Sequence, residues 1–314
     1  MRRRPSDAAR HLVEAWRARG RPLVVPGAST RVWQQGEGEP VVCLHGMPAS
    51  SFTYRNVLAG LAARGLRGVA FDMPGLGLAE RPEGFDYRWS SQALWTLAAV
   101  DALGLRRFHL VVHDSGGPIG FELARLAPER IASLTALNTL VNCATARRPP
   151  EMEPYAHRVV GRLWLALTNP LTFELGMRRI GVTHAVPREV ILAYLLLLRG
   201  NDRGLGMLRA IRGFELTAEF ERRIRGHLAR RPYPAQVLWG RWDPGLKLAT
   251  TGEDVRAALG VSAVCRLNGK HFVQEESAGE IARLVALLAG GQPGESRHES
   301  ARQGSRSETM PPWK

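Results

Sequence analysis

The sequence predicts an α/β protein: a mostly parallel central sheet flanked by helices, with a helical cap inserted between two parts of the sheet domain. Three observations carry this. Apolar runs of strand length alternate with amphipathic stretches as far as Thr139 and resume at Ala235. Between them, to Pro232, the pattern is mostly helical. The stretch F-H-L-V-V-H-D-S-G-G-P-I-G, residues 108–120, reads as a buried strand, a glycine-rich turn and the start of a helix. The expected segments are therefore 1–139 (first part of the core), 140–232 (cap), 233–290 (second part of the core) and 291–314, a polar tail expected to be disordered.

Composition narrows the class. With 314 residues, 45% of them hydrophobic and 23% charged, the chain can bury a full core plus an insertion. No apolar run approaches the roughly 20 residues of a membrane span, so no membrane partner is expected. The basic N-terminus lacks the apolar stretch of a secretory signal, and a cytoplasmic location is expected. Cys43, Cys143 and Cys265 are too scattered for a disulfide framework or a metal pattern, and no metal or organic cofactor is expected. The net charge of +14 is almost all arginine, spread along the chain without a zinc pattern, helix-turn-helix or RNA-binding aromatic motif. Specific nucleic-acid binding is not expected from charge alone. The oligomeric state is left open.

Taken in order, residues 6–18 have a helical rhythm (Ala9, Leu12, Val13, Trp16). Ser29–Gln34 and Pro40–Leu44 read as strands, and the intervening G-E-G-E-P is a hairpin signal. His45-Gly46-Met47-Pro48 follows, with Gly46 allowing an unusual backbone path and Ser50 or Ser51 placed to cap what comes next. Leu66–Phe71 is a strand, Asp72–Gly77 a turn and Ser90–Leu103 a helix. Ile131–Leu137 is strand-like and ends at Asn138-Thr139. The cap segment carries Trp164, Leu165, Leu167, Phe173, Tyr194 and a leucine run, some of which should line an apolar pocket between domains. Ala235–Trp239 and Val261–Leu267 are the last strands, each followed by a loop with polar residues, and Glu276–Leu288 is the closing helix.

Strand, sharp turn and helix at 108–126 form the context of the nucleophile elbow of α/β-hydrolases. Two registers are open. With Ser115 at the apex, the bulky His113 would stand two residues before it, in a turn that needs small residues there. With Asp114 at the apex, Val112 precedes and Gly116 and Gly117 follow, and this register is favoured. An aspartate is already ionised at neutral pH and can attack carbon directly to form an ester. The chain order Asp114, Asp243, His271 then matches nucleophile, acid and histidine for this fold. Asp72 precedes the elbow and is read as a structural turn residue. His45-Gly46-Met47-Pro48 resembles the loop that lends a backbone N–H to the oxyanion hole, which makes Met47 one donor and Ser115 the other.

Between about residues 28 and 290 the chain resembles the haloalkane dehalogenase group of α/β-hydrolases, which also includes epoxide hydrolases. The resemblance rests on L-H-G-M-P (44–48), D-M-P-G-L-G (72–77), V-V-H-D-S-G-G (111–117), the Asp243 loop and H-F-V-Q-E-E (271–276). It implies a small-molecule substrate and two steps: Asp114 forms a covalent ester, then water activated by His271 splits it. The chain departs from dehalogenases at Ser115, where they usually carry a halide-binding tryptophan, and at Met47, where many carry a polar residue. Trp164 is a candidate indole from the cap, and His45, Asn138 and Phe272 are further pocket candidates. Epoxide hydrolysis needs cap tyrosines, for which Tyr155 and Tyr194 are candidates. Ester or lactone hydrolysis, in which Ser115 would matter most, and ligand binding without catalysis complete the alternatives.

Overall fold

The computed structural model describes residues 5–148, 150 and 152–290, so the tail expected at 291–314 lies outside the described residues. The apolar runs become one eight-stranded sheet: β1 (Arg21–Leu23), β2 (Thr30–Gln35), β3 (Pro40–Leu44), β4 (Arg67–Phe71), β5 (Phe108–Asp114), β6 (Ile131–Thr139), β7 (Ala235–Gly240) and β8 (Val264–Leu267). Their order is β1-β2-β4-β3-β5-β6-β7-β8. Strands β4-β3-β5-β6-β7-β8 are parallel, while β1 and β2 pair antiparallel at the edge. The hairpin expected between β2 and β3 does not form. β4 inserts between them, pairing antiparallel with β2 and parallel with β3. The G-E-G-E-P turn reverses the chain, but pairing is decided by which apolar strands can be buried on both faces, and β3 and β4 can.

The helices are α1 (Pro5–Arg19), α2 (Arg55–Ala62), α3 (Trp89–Ala102), α4 (Gly116–Leu126), α5 (Glu153–Ala156), α6 (Arg158–Leu167), α7 (Pro170–Gly176), α8 (Arg188–Arg199), α9 (Leu205–Arg212), α10 (Ala218–Leu228), α11 (Glu253–Leu259) and α12 (Ala278–Leu288). Alternation along the strands splits the core between two faces. Val41, Cys43 and Val111 join α1, α2 and α12 on one face, while Val42, Leu44 and Val112 join α3, α4, α10 and α11 on the other. α10 lies within the stretch expected as cap, yet Phe220, Ile224 and Leu228 pack with the sheet-side cluster. Its apolar stripe is satisfied by α4, not by the helices above the sheet.

α1 packs on α8, tying the N-terminal segment to the helices over the sheet. Trp16 stacks on Trp33 with centroids 4.7 Å apart, and Trp33 donates its indole N–H to the Trp16 carbonyl at 2.7 Å. Glu275, in the turn after β8, accepts both guanidinium nitrogens of Arg55 from α2 at 2.6 Å and the hydroxyl of Tyr194 from α8 at 2.5 Å. One buried carboxylate thus joins a core helix, an upper helix and the loop that leads out of β8.

Asp72 behaves as the turn residue expected of it. Its fully buried carboxylate accepts the N–H groups of Ser51 at 2.6 Å and Leu78 at 2.7 Å. Asp72→Ala strands both donors in a dry site and should lower the unfolding free energy by about 2–4 kcal/mol. Urea unfolding of the two proteins measures this, and a midpoint equal to the parent's would contradict it.

Candidate active site

The C-terminal ends of β5, β6, β7 and β8 converge on one point, as parallel sheets arrange their loops. Asp114 closes β5 with φ of 51°, a left-handed conformation unusual for a residue with a Cβ. The turn holds it there. Thr139 donates its hydroxyl to the Asp114 carbonyl at 2.7 Å, and the next strand end, Asn138, is left-handed as well, with φ of 31°. Gly46 serves by its lack of a side chain rather than by its backbone path. Its φ is ordinary, but a Cβ there would stand 2.2 Å from that of Asp114.

The Asp114 carboxylate is gripped from two sides. Met47 donates its backbone N–H to Oδ1 at 2.7 Å, and Nε2 of His271 lies 3.4 Å from Oδ2. Nδ1 of His271 is 2.8 Å from Oδ2 of Asp243. The other oxygen of Asp243 accepts the N–H groups of Gly245 and Leu246, both at 2.9 Å. Asp114, His271 and Asp243 therefore form a continuous chain of contacts, and the hydroxyl of Ser115, buried without a protein partner, is not part of it. Ser115 lines the cavity beside Asp114.

The charges follow from this geometry. Burial alone lowers the pKa of His271, but Asp243 and Asp114 on either side raise it to about 10, so the ring is an imidazolium at neutral pH. Burial pushes Asp114 up, and the hydrogen bond and charge of His271, with the Met47 N–H, pull it down to about 2. Asp243 is likewise held below the usual carboxylate range despite its burial, by His271, Asn138 and the Leu246 N–H. Burial, reinforced by the positive His271, lowers His113 to about 4 and keeps it neutral. His113 Nε2 lies 2.9 Å from the His271 carbonyl, so this nitrogen carries the proton and donates it.

Above Asp114 lies a cavity of about 490 Å³, bounded by sheet loops and by α5, α6, α7 and α9. Met47, Ser115, Tyr155, Trp164 and Phe272 line it with Asp114, Asp243 and His271. Three of the pocket candidates lie elsewhere. His45 is fully buried below the loop, accepting the Met73 N–H on Nε2 and donating from Nδ1 to the Gly46 carbonyl. Asn138 donates to Asp243 at 2.7 Å and accepts the Gly240 N–H at 2.9 Å, so it orients the acid instead of facing the cavity. Tyr194 turns its hydroxyl to Glu275 in the core. A mostly helical segment does not reveal which face of each helix the fold turns inward, which is why Tyr155 and Tyr194 read alike in sequence. Trp89, at the start of α3, also lines the cavity, with a buried indole N–H that has no protein partner. Nothing in its sequence neighbourhood marks it. Among the described residues no group of three or more His, Cys, Asp or Glu is disposed to hold a metal ion.

A family model described as alpha/beta hydrolase fold matches residues 39–168. Haloalkane dehalogenase 2 of Mycobacterium bovis is 27% identical over 264 residues, covering 80% of this chain and 88% of the relative. A haloalkane dehalogenase of Psychrobacter cryohalolentis is 26% identical over 266 residues, covering 79% and 82%. Among solved structures, an ancestral haloalkane dehalogenase, AncHLD2, superposes with a TM-score of 0.72 at 22% identity, covering 86% of this chain and 98% of that one. The epoxide hydrolase CorEH does so with a TM-score of 0.70 at 20% identity, with the same coverage.

The raised and lowered pKa values make stability depend on pH in opposite senses. The contribution of His271 is full below its usual value of 6.5 and is lost as pH rises through about 10. That of Asp114 is full above its usual value of 3.8 and is lost as pH falls through about 2. Melting temperature should therefore decline between pH 7 and 10, and His271→Gln should flatten that decline. An alkaline decline of equal steepness in the variant would contradict the assignment.

Proposed function

We propose, on the premise that the chain is a hydrolase of the α/β-hydrolase fold similar to haloalkane dehalogenases, that it hydrolyses small apolar electrophiles through a covalent ester on Asp114. The observation that carries this reading is the position of the Asp114 carboxylate. It is ionised, held between the Met47 N–H and the His271 ring, and borders a largely apolar cavity. In such a site the carboxylate is poorly solvated and strongly nucleophilic toward carbon. Helices α5–α9 act as the cap that keeps water low there.

In the first step an Asp114 oxygen bonds to the substrate carbon and the leaving group departs with its electron pair. Ester formation removes the negative charge 3.4 Å from His271, so the imidazolium loses much of its stabilisation and releases its proton. The neutral ring then takes a proton from water as that water attacks the Asp114 carboxyl carbon. The Met47 N–H steadies the oxyanion, and collapse frees an alcohol and regenerates the carboxylate beside a protonated His271. Asp243 keeps the ring oriented throughout, and Asn138 keeps Asp243 oriented.

Displacement of halide from carbon is the form of this chemistry that the relatives favour. Epoxide opening is the second reading, carried by the Tyr155 hydroxyl. Tyr155 lines the cavity and pairs with Thr168 Oγ1 at 2.9 Å. It ranks second because Tyr194 is committed to Glu275 and leaves no tyrosine pair.

His271→Gln should form the Asp114 ester and fail to hydrolyse it, lowering turnover by roughly 10²–10⁴-fold. Intact mass and peptide mapping after incubation with bromoalkanes, epoxides and short esters test this. An alkyl adduct on Asp114 from bromoalkanes supports the proposal, and one from epoxides alone transfers it to the second reading. An adduct on Ser115 would overturn the choice of nucleophile.

A further inference from the structure

The outer surface of the cap is apolar. α6 turns Val159, Val160, Leu163, Trp164 and Leu167 outward, with exposures from 44% at Trp164 to 72% at Val159. These positions recur as i, i+1, i+4, i+5 and i+8, which is one face of a helix. α7 adds Leu171 and Leu175 one turn apart, about 60% exposed. The opposite faces of the two helices bury Leu165 and Phe173. Single exposed leucines are ordinary, but a run of this length over two consecutive helices marks an interaction surface.

The charge on the α6 half of this face has one sign, and the one carboxylate of α7, Glu174, is paired with Arg178 and Arg188. α6 carries Arg158 and Arg162 and no acidic residue. No described carboxylate pairs with either arginine. Arg212 of α9 reaches the same end of the helix, donating to the carbonyls of His157 and Arg158 at 3.1 and 3.4 Å. Burial and the repulsion of Arg158, Arg162 and Arg209 lower its pKa. Like charges crowded together favour an anionic surface opposite them. A two-fold contact between copies through this face would bring the same arginines together, which disfavours self-association as its use.

The face also adjoins the cavity. Trp164 and Leu167 are exposed and line the cavity as well, and Thr172 and Gly176 of α7 continue its wall. The cavity therefore reaches the surface within the apolar face.

We propose that the α6–α7 face docks on the surface of an anionic phospholipid bilayer. Arg158, Arg162 and Arg212 meet the headgroups, and the apolar side chains enter the acyl boundary. Apolar substrate passes from the lipid phase into the cavity past Trp164 and Leu167. The attachment is peripheral: no described helix is long and apolar enough to cross a membrane.

Vesicle co-sedimentation of the full chain tests this with phosphatidylcholine vesicles and with phosphatidylcholine containing 30% phosphatidylglycerol. The chain should sediment with the anionic vesicles at least ~10-fold more strongly than with the neutral ones, and less as salt is raised. Val159→Asp with Leu163→Asp should abolish sedimentation, and Arg158→Glu with Arg162→Glu should weaken it by ~20-fold or more. Unchanged circular dichroism and melting temperature confirm that these surface variants are folded. Binding that survives Val159→Asp with Leu163→Asp would place attachment elsewhere on the basic chain and overturn the proposal. So would equal binding to neutral vesicles, or no vesicle binding with a dimer in sedimentation velocity that the same variant dissolves.

Discussion

The backbone turn at Asp114 is the constraint on which the site depends. A left-handed aspartate costs about 1 kcal/mol or more, and it persists only where its surroundings leave no alternative. Those surroundings are specific. A Cβ on Gly117 would stand within 1.7 Å of Thr139 Oγ1, so the start of α4 can sit against β6 only with glycine there. The Thr139 hydroxyl then holds the Asp114 carbonyl. The turn lifts the Asp114 carboxylate away from the sheet and toward Met47 and His271.

Two layers of polar contacts support that carboxylate, and they come from distant parts of the chain. Asp243 and His271 lie on loops after β7 and β8, and each is anchored behind the contact it makes with the other. Asn138 and two backbone N–H groups fix Asp243. His113 holds the His271 carbonyl, and Glu275 ties the following turn to Arg55 and Tyr194. Two carboxylates around one imidazolium are tolerable in a buried site because every oxygen and nitrogen of the chain has a partner. In the proposed mechanism, loss of one negative charge from this arrangement would release the proton of His271, which would link the electrostatics of the resting state to the second step.

The upper helices divide their residues between two tasks. Leu165 and Phe173 face inward, Phe173 lining the cavity, while Val159, Leu163, Leu171 and Leu175 face outward and are exposed. Trp164 and Leu167 stand on the border of both surfaces. An apolar cavity that opens within an apolar outer face suits substrates that partition out of water.

The sequence by itself determined the layered α/β architecture, because strand-length apolar runs and helical periodicity are local signals. It also determined the order Asp114, Asp243, His271 along the chain, because each residue sits at a recognisable turn after a strand. Tertiary structure alone decided the pairing of β4 between β2 and β3, since the partner of an apolar strand depends on burial on both faces and not on the nearest turn. It decided that α10 packs on the sheet, that Asn138 serves Asp243, and that Tyr155 faces the cavity while Tyr194 supports Glu275. Each of these depends on the direction of a side chain relative to elements far away in sequence, and helical spacing records only which residues share a face, not what that face meets.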